Sequence, residues 1–415
     1  MEGLFEQVFQ YSKSNAIRFH MPSHNGSDIG INTSMDITEL SFSDNLLNGH
    51  GLIKKTEEKI ASLYNCNHAL MLTCGATIAV SIAINVAKSY GDTIVVVGDG
   101  HISIYNNARV QGMQVVKVTS VNQMKQINGK IGAVFVTSPN YFGKITLAKN
   151  WRYDGALLIV DESHGSHFSF SSELPNSQCN DCDILISSWH KGLPVLTGGA
   201  VLLCNDIDIY RQLLYSRKLI HSTSPNYLIM ASMDRACDIM NVKGEEYYRQ
   251  VIESINGFRS LLCNRYIVLD TDDITRVCIS LQGMCANAYA EILEANNIFI
   301  EMAYNDILVL IVTPFNHQHL QELARLMNSI MFEKKCEFIS PLICEKKEIL
   351  KSEIEFINCE KALGRVCAQE LAIYPPGVPI LIVGDIINRQ VLDFILDRIN
   401  IIFGLVDGLL PVFKN

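Results

Sequence analysis

The sequence predicts an α/β fold: a large domain on a mainly parallel sheet, then a smaller α+β C-terminal domain. Three observations carry that expectation. From about residue 55 onward, short continuous apolar runs alternate with helical patterns, as in strands buried on both faces with helices crossing each side. Each apolar run stops in a cluster of polar residues, and in an open parallel sheet the ligand lies beyond the carboxyl ends of the strands. The chain has 415 residues, 48% of them hydrophobic, too many for one core, so two or three domains are expected.

In order along the chain, residues 1–45 read as an arm that ends in the turn-rich "HMPSHNGSD". Residues 46–235 form the expected large domain. There "IKKTEEKIASLY" has helical spacing, "HALMLT" is a strand, and "ATIAVSIAINVAKSYG" is a helix ending at a glycine. "TIVVVG", "IGAVFVTSP", "GALLIVDESHG" and "CDILISSWHKG" are four further strands, and another apolar run, "GGAVLL", follows the last. Residues 236–332 form a small α/β unit: "EEYYRQVIESINGFRSLL" and "AYAEILEANN" read as helices, "FIEMAYNDILVLIVTP" as a pair of strands, and "HQHLQELARLMNSIM" as a helix. "FEKKCEF" is a charged linker, and residues 333–415 make a last domain of ordinary size.

Composition removes several function classes. Charged residues are 19% of the chain, the net charge is -9, and no basic block occurs, so nucleic acid is not an expected partner. No apolar run reaches the ~18 residues of a membrane span. The N-terminus lacks the cationic head and long apolar core of a secretory signal, and thirteen cysteines in such a chain suggest reduced thiols in a cytosol. Cys179 and Cys182 form one CxxC, but no second pair or suitably spaced histidines complete a zinc site. No metal is expected, and the pair reads as two free thiols in a loop.

The chemistry collects at the strand ends. "CGAT" before a helix either cradles a phosphate with free N–H groups, the helix dipole and the Thr77 hydroxyl, or is a plain strand-to-helix turn. Asp161 closes "ALLIV"; a carboxylate there needs a partner or a cation, and a helix cap would also serve. His101 and His164 suit ring stacking or proton transfer, or ordinary polar surface. Lys191, at the mouth of a buried strand, either sheds its proton and attacks a carbonyl or snorkels to solvent. One ligand asks for all of these at once. Pyridoxal 5'-phosphate needs a lysine to hold it covalently, an acid for its pyridinium nitrogen and a cup for its phosphate.

With those residues in place, the chain resembles the Orn/Lys/Arg decarboxylases, pyridoxal-phosphate enzymes of aminotransferase-like fold type I. "FHMPSHNG" is similar to the family's F-H-x-P-G-H-x-x-G, "CGAT" to its G-S/T-T phosphate loop, "DGHIS" to its H-x-S segment and "DESHGSH" to D-E-A-H-G-A-H. "SSWHKGLPVLTGGAVL" is similar to its S-x-H-K lysine motif, and "STSPNYLIMASMD" to a segment after it. "GRVCAQELAIYPPGVPILIVGD" is similar to its G-R-x-x-A-E…Y-P-P-G-I-P…P-G-E signature.

The resemblance implies a role for each matched residue. Lys191 would carry the cofactor, Asp161 would pair with the pyridinium nitrogen, and His101 would stack on the ring. Gly75, Ala76 and Thr77, with Ser188 and His190, would hold the phosphate, and His164 would sit beside the lysine. Thr223 and Ser224 would lie near the cofactor phosphate of a partner subunit, which implies a homodimer with sites at its interface. Apart from the resemblance, a cationic side chain needs acceptors, and acidic residues of the C-terminal unit such as Asp385 are expected to supply them at the pocket entrance. The implied reaction is decarboxylation of arginine, lysine or ornithine in polyamine metabolism, with Lys191 and His190 as alternative proton handlers. Transamination or aldol-type cleavage on the same fold, and a non-catalytic relative, are the competing readings. Four positions depart from the family pattern: Ala76 replaces a hydroxyl residue, Trp189 a small hydroxyl residue and Ser23 a glycine, and "IVGD" stands for P-G-E.

Overall fold

The computed structural model describes residues 17–19, 30, 44–336, 353–373 and 377–414. Its strands are β1 (Ile17–Phe19), β2 (His68–Leu72), β3 (Thr93–Val97), β4 (Gln114–Val118), β5 (Ile131–Thr137), β6 (Leu157–Asp161), β7 (Ile184–Ser187), β8 (Ala200–Cys204), β9 (Ile267–Val268), β10 (Arg276–Ser280), β11 (Ile298–Ile300), β12 (Met302–Tyr304), β13 (Ile307–Ile311), β14 (Ile354–Asn358), β15 (Leu371–Ile373), β16 (Pro379–Leu381), β17 (Ile402–Phe403) and β18 (Leu409–Phe413). Its helices are α1 (Leu52–Leu63), α2 (Gly75–Ala87), α3 (Ile102–Val110), α4 (Val121–Met124), α5 (Trp189–Gly192), α6 (Ile207–Ile220), α7 (Tyr227–Leu261), α8 (Ala286–Ala295), α9 (Leu320–Ser329) and α10 (Arg389–Asp397).

The central sheet has seven strands in the order β2-β8-β7-β6-β5-β3-β4. Alternate residues of its strands feed two cores. Met71, Val95, Val136, Val160 and Leu185 join the core on one face; Leu72, Ile94, Phe135, Ile159 and Ile186 join the core on the other. Covered on both sides, the strands have no polar face, which is why they read as continuous apolar runs. The edge strand β4 escaped that signal because Gln114 and Lys117 are exposed.

The strands from β3 to β7 are mutually parallel, and β8 runs antiparallel to both β7 and β2. The short connection after β7 folds back on itself, since a parallel crossover needs a longer path. Six strands therefore end on one edge, and β8 begins there. Those ends carry the polar segments picked out in the sequence.

The small unit is an antiparallel sheet, β12-β13-β10-β9. "FIEMAYNDILVLIVTP" forms three strands rather than two, broken at Glu301 and turned at Asn305, whose φ is +53°. Strand β1 of the arm pairs in parallel with β11. Helix α7 spans 35 residues, so the 235/236 division expected from the sequence falls inside one continuous rod. Residues 334–336 still bond to Gly283 and Cys285 of the small unit. The C-terminal unit has its own core, including Cys359, Leu371, Leu381, Val391 and Leu410, and docks on α3, where Arg109 donates to the Ala368 carbonyl at 2.8 Å. Ser23 and Tyr374–Pro376 of the matched motifs lie outside the described residues.

Candidate active site

Segments following β2, β3, β5, β6 and β7 meet in one cleft that encloses about 1000 Å³, open mouth included. Gly75, Ala76, Thr77, His101, Asp161, His164, Ser188, His190 and Lys191 all line it. The structure thus brings together nine of the expected residues from segments more than a hundred positions apart in sequence.

Gly75 opens α2 with φ +76°, a conformation that side chains disfavour although a Cβ there would meet nothing within 4 Å. Its N–H is bonded to the Gly198 carbonyl at 2.8 Å. Those of Ala76 and Thr77 lie in the first turn, where a helix offers no acceptor, and they face a site suited to an anion. Ser188 is fully buried, with its hydroxyl 3.3 Å from His190 Nδ1. His190 Nδ1 donates to the Gly199 carbonyl at 3.2 Å, which anchors this ring to the start of β8.

At the other side, Asp161 Oδ1 accepts from the Ser163 amide at 3.1 Å and the Ser163 hydroxyl at 2.5 Å. His101 caps α3, its Nδ1 accepting from the Ser103 amide at 3.2 Å. Burial, opposed by Asp161, pushes its pKa down to about 4, so the ring is neutral.

Lys191 is half-buried and lines the cavity. Desolvation pushes its ammonium below the ordinary lysine range, while Asp161 and Glu301 pull the other way. Its Nζ lies 3.0 Å from His164 Nε2. His164 is held well below the usual histidine range by burial first, with the Arg276 guanidinium adding to it. The ring edge of Tyr141 meets His164 at 4.6 Å between centroids, and the Tyr141 hydroxyl donates to Glu301 at 2.7 Å.

Both histidines of "DESHGSH" are tied to one segment of the small unit. His164 Nδ1 accepts from Arg276 Nη2 at 3.1 Å, and His167 Nε2 lies 3.1 Å from Asp273 Oδ1. Arg276, Asp273, Tyr141 and Glu301 were missed by the sequence reading. "NYFG" directly follows the apolar run "IGAVFVTSP", but no spacing signal links a residue near 276 to one near 164.

Trp189 is fully buried in the core behind the motif, its ring stacked on Tyr64 at 6.1 Å. It points away from the cleft, so the departure costs the site nothing. Gly192 lets this turn approach the preceding loop: a Cβ there would stand 2.4 Å from Ser166 Oγ. Trp189→Ser should lower stability by ~3–5 kcal/mol, the cost of deleting a large buried ring, whereas Trp189→Phe should cost far less. Thermal denaturation of the two variants checks this; equal losses would show that packing is not what the ring provides.

Glu162 is fully buried, accepting from Ser177 Oγ at 2.7 Å and the Gln178 amide at 2.9 Å, and burial raises its pKa to about 8. A carboxyl whose folded pKa lies above its unfolded value stabilises fully below the unfolded pKa. That stabilisation is lost as pH rises from about 4.5 to about 8. Glu162→Gln, which never ionises, should therefore raise the melting temperature by a few degrees at pH 8 and leave it unchanged at pH 4. A uniform shift across that range would refute the assignment.

Three expected site residues are not brought to the cleft. Asp385 is buried in a C-terminal turn, its Oδ2 accepting from the Ile382 amide at 2.9 Å. Its carboxylate closes that turn and does not line this chain's cleft. Thr223 and Ser224 are exposed and outside this chain's cleft. They lie in the segment whose His221 and Asn226 bond Thr73, just before the "CGAT" loop. Cys179 and Cys182 are buried free thiols, and among the described residues no group of three or more His, Cys, Asp or Glu is arranged to hold a metal.

The residues present fit pyridoxal 5'-phosphate. A left-handed glycine and open first-turn N–H groups form a cradle for the phosphate, a desolvated amine stands across the cleft, and a carboxylate faces the same space. Comparison with known proteins agrees with that donor set. Residues 2–135 and 116–279 match the family model for the Orn/Lys/Arg decarboxylase major domain, and residues 325–401 match the model for the C-terminal domain of the same family. A Bacillus subtilis (strain 168) protein, the uncharacterized protein YaaO, is 26% identical over 93% of this chain and 92% of its own length. An arginine decarboxylase of Bacillus anthracis is 25% identical over 94% and 92%. In structure, the Francisella novicida lysine decarboxylase LdcF superposes with a TM-score of 0.70 at 18% identity, covering 98% of this chain and 80% of that one. A serine palmitoyltransferase of Sphingomonas wittichii reaches 0.56 at 18% identity over 69% and 78%. At these identities the structural likeness speaks for the fold, which is that of the aminotransferase-like fold type I enzymes.

Proposed function

Because the chain belongs to the Orn/Lys/Arg decarboxylase family, we propose that it removes the α-carboxylate of a basic amino acid as carbon dioxide, using pyridoxal 5'-phosphate. The observation that carries this reading is Lys191: a desolvated amine, 3.0 Å from a neutral histidine, in a cleft that also holds Asp161 and a helix N-terminus. The cofactor, when bound, supplies an electron sink for the bond to the carboxylate. Lys191 would hold it, Asp161 would pair with its ring nitrogen, and His101 would lie against the ring. Ala76 and Thr77, with Ser188, would hold the phosphate. The neutral histidines and the aromatic Tyr141 and Phe142 keep the reacting end poorly solvated, which disfavours a carboxylate more than the neutral product.

Of the two proton handlers we favour Lys191, whose Nζ lies 3.0 Å from His164 Nε2 in the cleft, while His190 is anchored to Gly199 through Nδ1. Asp99, in the cleft lining, and Glu301, beside Tyr141, offer acceptors for a cationic side chain in place of Asp385. We assign the amine product to polyamine metabolism, and a cytosolic location fits a free amino-acid substrate. No described helix is long and apolar enough to cross a membrane. The exposed Thr223 and Ser224, beside the phosphate loop, support a homodimer in which they reach the partner's cleft. Light scattering tests that: a fully active monomer would refute it.

The test of the reaction is direct. The purified protein should take up the cofactor with a visible absorbance band and release carbon dioxide from arginine, lysine or ornithine. Consumption of a keto acid without carbon dioxide release would favour transamination instead.

A further inference from the structure

We propose that Arg276 is a positioning residue that fixes the tautomer of His164 and thereby keeps Lys191 an uncharged amine, an inference that rests on Lys191 being the cofactor-binding lysine. The logic is one of donors and acceptors. A guanidinium only donates. Arg276 Nη2 lies 3.1 Å from His164 Nδ1, so that nitrogen carries the lone pair and the ring proton sits on Nε2. Nε2 in turn lies 3.0 Å from Lys191 Nζ. An N–H there needs an acceptor, and a lysine nitrogen accepts only as –NH2; an ammonium would set one N–H against another.

Arg276 is built into place. It is the first residue of β10, 2% exposed, and its Nε and Nη1 have no hydrogen-bond partner among the described residues. Its Cβ and Cγ press on Gly143 so closely that a Cβ at that glycine would stand 2.8 Å and 3.2 Å from them. The other groups facing the pair are His101 and His190, both imidazoles, the carboxylates of Asp161 and Glu301, and the ring of Tyr141. The two carboxylates favour an ammonium, and burial together with the chain from Arg276 through His164 opposes them. The amine that would attack the cofactor's aldehyde is thus held in its free-base form more readily than an ordinary lysine.

The readout is the pH profile of Lys191 labelling by acetic anhydride in the full-length, cofactor-free chain, followed by peptide mass spectrometry, because only the free amine reacts. Wild type should label with a midpoint below the ~10.4 of an ordinary lysine. Arg276→Met and His164→Phe should each raise the midpoint by about a unit or more, slowing labelling at pH 7 about tenfold. The double variant should shift no further than the larger single one, and Arg276→Lys, which keeps donor and charge, should restore the wild-type profile. Nitrogen-15 spectra of labelled histidine should show His164 protonated at Nε2.

Additive shifts in the double variant would reduce Arg276 to a bare charge and overturn the proposal, as would an Nδ1-protonated His164. If Arg276→Met does not fold, His164→Phe alone decides, and unchanged labelling there is fatal. Adding pyridoxal 5'-phosphate to wild type separates the two readings. No visible band, with the relay shifts intact, sinks Lys191 as the cofactor lysine; a band together with additive shifts sinks the relay alone.

Discussion

Lys191→Ala should abolish the visible absorbance band that forms with pyridoxal 5'-phosphate and lower carbon dioxide release by on the order of 10⁴-fold or more, the scale seen when a covalent group is removed from an active site. The fold should survive. The side chain contributes a desolvated amine beside His164, and its loss removes a burial cost rather than a core contact. Among the described residues Lys191 is the one lysine in the cleft lining, and its turn is held in place. Ser188 and Trp189 fix the turn, Gly192 brings it against Ser166, and the Lys191 amide bonds the Ser188 carbonyl at 3.1 Å. Absorbance spectra, carbon dioxide trapping and a melting curve on the one variant are sufficient. A band of unchanged position and intensity would show that a different amine holds the cofactor.

Asp161→Asn should leave the protein folded and able to take up cofactor, yet cut the decarboxylation rate by ~10³-fold, about 4 kcal/mol of barrier. Asparagine keeps an oxygen for the Ser163 amide and hydroxyl, both of which bond Oδ1 in the native chain. What it loses is the negative charge, and with it the means of keeping the ring nitrogen protonated. Removing that charge also removes one of the two carboxylates that favour a charged Lys191, so cofactor capture at neutral pH should be no slower than in wild type. Measuring capture and turnover separately exposes the split. If both fall together, Asp161 is a packing element of the cleft and not its ring partner.

Much of the site was legible because each residue sits at a fixed step from a strand end. The apolar runs placed Asp161 and Lys191 at strand ends, and "CGAT" placed Gly75 at a helix start. Parallel strands deliver such ends to one edge, so position along the chain sufficed. Other features were not legible in that way. Asp385 looked like part of the pocket entrance, yet its carboxylate accepts from the Ile382 amide in a turn beside Gly384 and does not line this chain's cleft. Trp189, the puzzle of its motif, faces the core, because successive residues of a short helical turn point to different sides.

By itself, then, the sequence determined the buried strands, the polar clusters closing them, and the lysine, aspartate and glycine that those clusters carry, because local periodicity and strand termini are properties of neighbouring residues. Only the tertiary structure decided that β8 runs backward between β2 and β7, that α7 joins two units without a break, and that Arg276 reaches His164. The reason is physical. A hydrogen bond between residues 112 positions apart leaves no mark on the local pattern of either segment, and exists only once two separately folded sheets have packed against each other.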